Sequence, residues 1–310
     1  MIHHMRIAAA LLLLLAFSFA PVQAQSSAPQ LIAPGVWFFL GDSHKGYSNT
    51  VVIEMADYLI VVDANYPGRA RELIAEMPKL SPKPVRYVFD THAHGDHSYG
   101  NSLWTAAGAT TIAYSGVLKD MDRYEPLRWQ AAVKGREDVR SLHQDNVEQP
   151  KQTFTKSPFI LQDSTREVDF EYLGWGHTPG DGYVWLPKER ILCTGDAAVN
   201  GPRNRLGDAN LANWPRALAK ALRLKPVHVL PGHGDAGGPG ILVGQRHFLL
   251  DLYQAVAKQA HEGKTPEQMN IQLPSRDENW IPKDLLRDVK VVYAEVTQHQ
   301  PAGALPHDFQ

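Results

Sequence analysis

The sequence has little cysteine, no extended stretch of positive charge and no long apolar segment. Cys193 is the only cysteine among 310 residues, so an intrachain disulfide cannot form. The formal net charge is -2, and no long run of lysine or arginine occurs, which argues against nucleic-acid binding. One apolar run, residues 7–20, is shorter than the about 20 residues that a membrane-spanning helix needs. Stability must therefore come from a packed core and from any bound ion.

The first 24 residues have the character of an export signal. Arg6 precedes the apolar run, and Val22-Gln23-Ala24 gives the small-x-small pattern that signal peptidase accepts. We predict a secretory signal peptide over residues 1–24 and a periplasmic or secreted mature protein without stable membrane association. An uncleaved membrane anchor is the alternative.

The remainder has the composition of one large globular domain. Hydrophobic residues make up 44% of the chain and charged residues 21%, which allows a large core. No segment after the leader has the composition of a linker. We predict a single domain over residues 31–310 that includes a C-terminal helical extension over about 240–310, anchored by Trp280 and Tyr293.

Short apolar runs alternate with amphipathic stretches, which predicts an α/β fold. Residues 116–156 are rich in charge, and we expect a mostly helical excursion there that either borders the active site or serves as a solvated spacer. The predicted strands are 36–40, 49–54, 58–63, 85–89, 110–114, 159–162, 167–174, 183–186, 191–194 and 227–230, and the predicted helices are 69–77, 98–107, 214–224, 242–262 and 282–298.

A dense set of ligand-type side chains follows the strand predicted at residues 85–89. Four of the six residues from 92 to 97 are ligand-type, namely His92, His94, Asp96 and His97, a density that packing in a soluble core does not require. On an extended chain His92 and His94 point the same way, whereas Asp96 and His97 follow where the chain turns. Neutral imidazole and carboxylate suit zinc, with iron and manganese as less selective alternatives. The segment therefore predicts half of a site for two metal ions.

Three further ligand-type residues each follow a predicted strand, where the loops of α/β sheets gather their chemistry. They are His177, Asp196 and His233, and each has glycine close by in the sequence. Glycine lets the backbone bend tightly and approach an ion closely.

In their order along the chain, these residues resemble the metallo-β-lactamase superfamily, with its pattern His-x-His-x-Asp-His followed by His, Asp and His. The resemblance covers about residues 35–235 and implies a four-layer αββα sandwich with a dinuclear metal site at the sheet edge. It also implies two zinc ions per chain, the first bound by His92, His94 and His177, the second by Asp96, His97 and His233, with Asp196 bridging them.

Cys193 needs a separate interpretation because one group of true lactamases has cysteine where most relatives have the bridging aspartate. Here Asp196 occupies that place, three residues later. We expect Cys193 to be a small buried apolar residue and not a ligand.

The resemblance implies an exported di-zinc metallo-hydrolase that acts on a small molecule. A metal-bridging hydroxide would cleave an ester, lactone or amide-type bond, with a β-lactam among the candidates, and Asp96 would orient the nucleophile and pass on a proton. One alternative is a mononuclear iron, persulfide dioxygenase-like oxidoreductase that uses His92, His94 and His177 or a subset of them. Another is a non-catalytic metal-binding protein of the same fold. The oligomeric state stays open.

The sequence offers several candidate substrate contacts near the ligand motifs. Tyr99, Trp104, Trp175, Tyr183 and Trp185 lie near the ligand motifs, where each either lines the cleft or belongs to the core. Asn200, Arg203 and Arg205 follow Asp196 in a loop rich in glycine and proline that could meet an anionic group. Of these residues, Tyr99, Trp175, Asn200 and Arg203 are the candidates that we retain.

Overall fold

The computed structural model describes residues 28–203 and 205–306. The predicted signal peptide, residues 1–24, lies outside the described residues. Two β-sheets form the centre of the structure. The larger sheet contains seven strands, which lie side by side in the order in which they occur along the chain. They are β1 (Gln30–Ala33), β2 (Val36–Phe39), β3 (Thr50–Glu54), β4 (Leu59–Val62), β5 (Val85–Asp90), β6 (Thr110–Tyr114) and β7 (Gln152–Phe154).

The first four strands pair antiparallel, and β4 to β7 run parallel. All four residues of β4 are buried, and so are all but the last residue of β3. Such continuous burial requires cover on both faces of the sheet, and it explains why these strands are uninterrupted apolar runs.

The second sheet has five strands in the order β12-β11-β10-β9-β8. Strand β10 is antiparallel to both β9 and β11, and β12 is parallel to β11. Strands β9, β11 and β12 therefore end at the same edge of the sheet. Their bounds are β8 (Phe159–Gln162), β9 (Glu167–Tyr172), β10 (Gly182–Leu186), β11 (Ile191–Gly195) and β12 (His228–Pro231).

Helices cover the outer face of each sheet. The helices are α1 (Pro67–Leu80), α2 (Gly95–Ser98), α3 (Asn101–Ala106), α4 (Ser115–Gly135), α5 (Glu137–Arg140), α6 (Trp214–Arg223), α7 (Gly240–His261) and α8 (Leu285–Gln298). Leu73 of α1 and Trp104 of α3 pack on the seven-stranded sheet. Trp214 of α6 and Phe248 of α7 pack on the five-stranded sheet.

A third apolar cluster fills the space between the two sheets. Phe89 of β5 and Phe170 of β9 stack there with their ring centroids 4.4 Å apart. Cys193 also belongs to this cluster, and burial raises the pKa of its thiol. With helices outside and two sheets inside, the predicted αββα sandwich is confirmed.

The C-terminal helices pack on the second sheet layer. Trp280 is buried, and its indole Nε1 donates a hydrogen bond to the carbonyl oxygen of Val199 at 3.0 Å. Tyr293 packs against the same apolar cluster, so both residues hold the C-terminal segment where the sequence suggested. Among the described residues, no helix combines the length and the apolar character needed to cross a membrane.

Some predicted elements differ from the structure. The helix predicted over 98–107 corresponds to α3, which begins later because the chain turns at Gly100, whose amide donates to the carbonyl oxygen of Asn65. The short helix α2 precedes it and was not predicted. Helix α1 continues past Pro78 to Leu80, since a proline in the last turn costs one backbone hydrogen bond without ending the helix. Strands β1 and β7 were not predicted. The 116–156 excursion is helical to Arg140 and ends in β7.

A buried carboxylate on α8 gives a pH-dependent stability prediction. Asp288 is 4% exposed, and one of its carboxylate oxygens has no hydrogen-bond partner among the described residues. Burial raises its pKa to about 7, although Arg287 acts to lower it. Between about pH 4 and pH 7 the folded state therefore holds a proton that the unfolded state has lost, and stability falls as the pH rises through that window.

Asp288→Asn is expected to remove this dependence, because the amide stays neutral. The difference in free energy of unfolding between the variant and the parent should be larger at pH 8 than at pH 4, in favour of the variant, by on the order of 2 kcal/mol. Thermal unfolding of both proteins at the two pH values measures this gain. Asp145→Asn, the same change at an exposed position, is the control. A difference between Asp288→Asn and the parent that is equal at both pH values would contradict the assignment.

Candidate metal centre

The ligand-type residues meet at the ends of strands from both sheets. His92 follows β5, His177 lies between β9 and β10, Asp196 follows β11, and His233 follows β12. Because β9, β11 and β12 end at one edge, their loops converge with the loop after β5. This convergence brings together all seven residues that the sequence singled out.

The seven side chains form two groups. His92, His94, His177 and Asp196 offer ligand atoms that lie within 4.8 Å of one another, and Asp96, His97 and His233 do the same. Asp196 also contacts the second group. Its carboxylate oxygens lie 3.3 Å from His97 Nε2 and 3.4 Å from His233 Nε2. It is thus placed between the two groups.

The donor atoms fit metal ions. Buried polar atoms normally have a hydrogen-bond partner, yet His92 Nε2, both ring nitrogens of His177 and Asp196 Oδ1 have none within residues 28–203 and 205–306. Four such atoms in one place are costly unless a cation satisfies them. Clustered imidazole and carboxylate donors are those that zinc accepts. The residues therefore form two adjoining groups able to hold metal ions.

The two groups differ in charge. Burial and the neighbouring imidazoles lower the pKa of His92 far below its ordinary value and that of His177 to about 3, so these rings are neutral and ready to bind a metal. In the other group burial opposes protonation, but the carboxylates outweigh it and raise the pKa of His233 to about 9. The pKa of His97 is also raised, by Asp63 and Asp196 against burial. The protonated imidazoles of His97 and His233 thus balance the negative charge of the neighbouring carboxylates, and a bound cation would balance the same charge.

Hydrogen bonds from outside the cluster orient its imidazoles. His97 Nδ1 lies 2.8 Å from Asp63 Oδ2, which leaves Nε2 facing the cluster. Asp63 also accepts a hydrogen bond from the backbone amide of Thr91 and has a left-handed backbone, with φ of 72°. An aspartate in this sparsely populated region is a mark of a site whose geometry the surroundings enforce.

Two glycines allow the close approach of the loops around Asp196. Gly195 has φ of 48°, and a Cβ there would overlap the side chain of Thr91. At Gly232 a Cβ would overlap the carboxylate of Asp196. Both positions need glycine, which agrees with the role that the sequence suggested for glycines beside the ligands.

A buried ion-pair network supports His94. Its Nε2 lies 2.6 Å from Asp208 Oδ2, which leaves Nδ1 for the cluster. Arg128 of α4 donates to both oxygens of Asp208, at 2.7 and 2.8 Å. Glu125, one turn earlier on α4, accepts a hydrogen bond from the hydroxyl of Tyr99. The charged excursion therefore reaches the candidate metal centre, and the solvated-spacer alternative does not describe it.

Removing the charge of Asp208 is expected to weaken metal binding without unfolding the protein. A carboxylate on the far nitrogen of a ligating imidazole fixes the ring and raises its basicity, and loss of such a partner costs about 10- to 100-fold in metal affinity. Titration of Asp208→Asn and the parent with zinc against a chelating indicator measures the change. Asp145→Asn is again the exposed control. Equal zinc affinity in Asp208→Asn and the parent would exclude this role.

Two cavities open at the cluster and share part of their walls. Their volumes are about 360 and 410 Å³. We call them together the cleft, the first lobe being the cavity that reaches Tyr99 and the second the one that reaches His233. Residues common to both lobes are Tyr66, His94, Asp96, Arg136, Arg205 and Arg287.

The predicted substrate contacts divide between the cleft and the body of the protein. Tyr99 lines the first lobe and Arg203 the second. Trp175 lies outside both linings and donates its Nε1 hydrogen to the carbonyl oxygen of Asp208. Asn200 also lies outside them and bonds to Asp235 and Asn279. Core positions hold the other aromatic residues considered, Trp104, Tyr183 and Trp185.

Several cleft residues were not found from the sequence. They come from three separate places in the chain. Tyr66 directly precedes α1, Arg128 lies in α4 and Arg136 directly after it, and Arg287 lies in α8. None of them lies in a sequence motif. The charge of the 116–156 excursion was the signal available for Arg128 and Arg136. Their positions relative to the cluster depend on how distant helices pack.

An αββα sandwich that gathers imidazoles and carboxylates at one edge defines a class of metal-binding proteins. The chain belongs to the metallo-beta-lactamase superfamily, whose family model matches residues 45–233, and this is a superfamily of metal-dependent hydrolases. The matched range includes all seven ligand-type residues.

Known proteins are similar over much of the chain. A metallo-beta-lactamase type 2 from Bacillus sp. (strain 170) is 29% identical over 204 residues, which is 63% of this chain and 70% of that protein. A metallo-beta-lactamase from Pontibacter korlensis has a TM-score of 0.58 at 19% identity and covers 72% of this chain and 98% of its own. The stereoselective inverting sec-alkylsulfatase Pisa1 from Pseudomonas sp. has a TM-score of 0.68 at 19% identity, over 89% of this chain and 52% of its own. At these identities the two structures establish the fold alone.

Proposed function

We propose that the protein is an exported di-zinc hydrolase that cleaves an ester, lactone or amide-type bond in a small molecule, with β-lactams among the candidate substrates. The observation that carries the proposal is the pair of adjoining ligand groups with unpaired buried donor atoms at the floor of an open cleft. Export is supported by the signal-like sequence of residues 1–24.

His92, His94 and His177 would hold one ion, Asp96, His97 and His233 the other, and Asp196 would contact both. Two bound zinc ions would supply Lewis acidity and a water of lowered pKa. Asp196 supports the dinuclear arrangement, because its two oxygens approach His97 and His233 while it shares a group with the three other histidines. The complete second group also favours two ions over the single iron of a persulfide dioxygenase-like enzyme.

Asp96 is the residue placed to handle a proton. It lines both lobes, and one of its oxygens lies 3.1 Å from His233 Nε2. Burial acts to raise its pKa, but His97 and His233 outweigh burial and hold the pKa below its ordinary value. The residue is therefore an anion at neutral pH, able to accept a hydrogen bond from a nucleophile or a proton bound for the leaving group.

A substrate panel tests the proposal. The zinc-loaded mature protein is incubated with lactams, lactones, carboxylic esters and phosphodiesters, with and without a chelator. We expect chelator-sensitive hydrolysis of at least one ester, lactone or lactam. Failure on every substrate by protein that holds two zinc ions would contradict the proposal and favour the non-catalytic metal-binding alternative.

A further inference from the structure

The cleft carries positive charge that the protein itself does not neutralise. Among the described residues, Arg205 and Arg287 line both lobes, and no carboxylate lies within ion-pair distance of either guanidinium. Both side chains are exposed at the rim. They come from separate places, the loop after Asp196 and the first turn of α8, and their position in both linings places them at the junction of the lobes.

The other arginines of the first lobe already have partners. Arg128 pairs with Asp208 and lies 3.7 Å from Glu125. Arg136 pairs with Asp138, donates to the carbonyl oxygen of Lys45, and lies over the ring of Tyr66 at 3.6 Å from its centroid. These two guanidinium groups are structural, which leaves Arg205 and Arg287 for a ligand.

The carboxylates that line the first lobe do not cancel this charge, because four arginines face only Asp96 and Asp208 there. Asp96 and Asp196 belong to the metal groups, and Asp208 is taken by Arg128 and His94. Asp284 accepts a hydrogen bond from the backbone amide of Arg287 at the start of α8. Asp284 and Asp288 line the second lobe and are absent from the lining of the first. With cations bound at the floor, the cleft would be strongly positive.

The first lobe also has an apolar wall. Tyr66 and Tyr99 meet edge to face with ring centroids 5.6 Å apart, and Ala131 and Ala132 of α4 complete the wall. Aromatic rings beside alanines give an apolar surface of the kind that binds a ring or a short hydrocarbon chain. A molecule lying there would bring one end to Arg205 and Arg287.

We propose that Arg205 and Arg287 form an anion-binding subsite and that the substrate is an organic anion, an apolar body carrying a carboxylate or sulfate-type group. The apolar body lies along Tyr66 and Ala132, and the anionic group sits between the two guanidinium groups, which present planar forks of donors to its oxygens. This inference rests on the proposed function for the nature of the reaction, but the binding itself needs no turnover. Arg287 lies beyond the matched family region, so the subsite depends on this chain's C-terminal helix.

Calorimetric titration of the purified, zinc-loaded protein with three matched probes tests the subsite. The probes are 3-phenylpropionate, 2-phenylethanesulfonate and the neutral 3-phenylpropionamide. We expect at least one anionic probe to bind about tenfold or more tightly than the amide. In the Arg205→Gln, Arg287→Gln double variant this preference should fall at least about fivefold, with binding of the amide unchanged.

Arg223→Gln is the matched control, because Arg223 is exposed on α6 and is absent from both cleft linings. It should bind all three probes as the parent does. A preference for both anions, or for one, supports the subsite and selects its chemistry. An anion preference that survives intact in the double variant would mean that the metal ions alone hold the anion, and would overturn the proposal.

The design separates the subsite from the hydrolase proposal. Loss of anion preference in the double variant, together with chelator-sensitive hydrolysis of a panel substrate by the zinc-loaded parent, would support both. Anion binding by a protein that hydrolyses nothing would support the subsite and contradict the proposed function. Equal binding of the anions and the amide by the parent would overturn the subsite whatever the activity.

Discussion

Asp196→Ala is expected to lower kcat/KM at least about 10³-fold on whichever substrate the parent cleaves, which corresponds to about 4 kcal/mol of lost transition-state stabilisation. Asp196 shares a group with three histidines and also contacts the second group, with oxygens 3.3 Å from His97 Nε2 and 3.4 Å from His233 Nε2. Its loss would leave two imidazoles without the carboxylate that holds a cation beside them. Both halves of the site would be affected by one substitution.

The fold should survive this change. The Asp196 side chain belongs to the cluster, whereas Ile191 and Cys193 of the preceding strand β11 pack in the apolar core between the sheets. Circular dichroism and the melting temperature of the metal-free variant check this point. Asp145→Ala, on an exposed loop, is the matched control and should keep the parent's kcat/KM. A folded Asp196→Ala variant within tenfold of the parent would contradict the bridging role.

Asp96→Asn is expected to lower kcat about 10²- to 10⁴-fold while KM changes little, the usual size of a general acid–base contribution. The amide has the shape of the carboxylate but no charge and no capacity to accept a proton at neutral pH. Because the three-histidine group is not altered, the variant should still retain at least one zinc ion per chain. Steady-state kinetics at saturating zinc, with metal content measured on the same sample, separates proton transfer from metal loss.

Two outcomes would contradict that role. A kcat within tenfold of the parent at full metal occupancy would show that Asp96 does not handle a proton. A rate restored to the parent's value by added zinc alone would show that the residue acts only as a ligand. Asp145→Asn controls for the loss of one carboxylate at an exposed position.

The candidate metal centre was predictable because its residues lie in recognisable sequence motifs. His92, His94 and His97 crowd one loop, and His177, Asp196 and His233 each follow a buried strand. Loops that follow strands running in the same direction lie at one edge of a sheet, and the resemblance to the family implied that these seven residues share one site. The apolar runs indicated the strands, and the resemblance implied their arrangement in two sheets.

The walls of the cleft were not predictable, because their residues lie in no sequence motif. Tyr66, Arg128 and Arg287 are single residues from helices or turns far apart in the chain, and only the packing of α4 and α8 places them around the metal groups. Asp208, which supports His94, also lies in a loop without a motif. Interactions of this kind depend on tertiary distances that local sequence patterns do not contain.

Local structure was missed where a short segment gave a weak signal. Strand β7 has three residues and pairs in parallel with β6, so nothing in the charged 116–156 segment marked it. At Gly100 the sequence looked helical, yet a Cβ there would overlap the carbonyl oxygen of Ala64. The close approach of the turn before α1 therefore requires glycine between α2 and α3.

Metal content tests the central claim most directly. Elemental mass spectrometry of the purified mature protein, beside Asp196→Ala, gives the number and identity of ions per chain. We predict two zinc ions in the parent and fewer than two in the variant. A single iron that the substitution leaves in place would contradict the dinuclear site and favour the persulfide dioxygenase-like alternative.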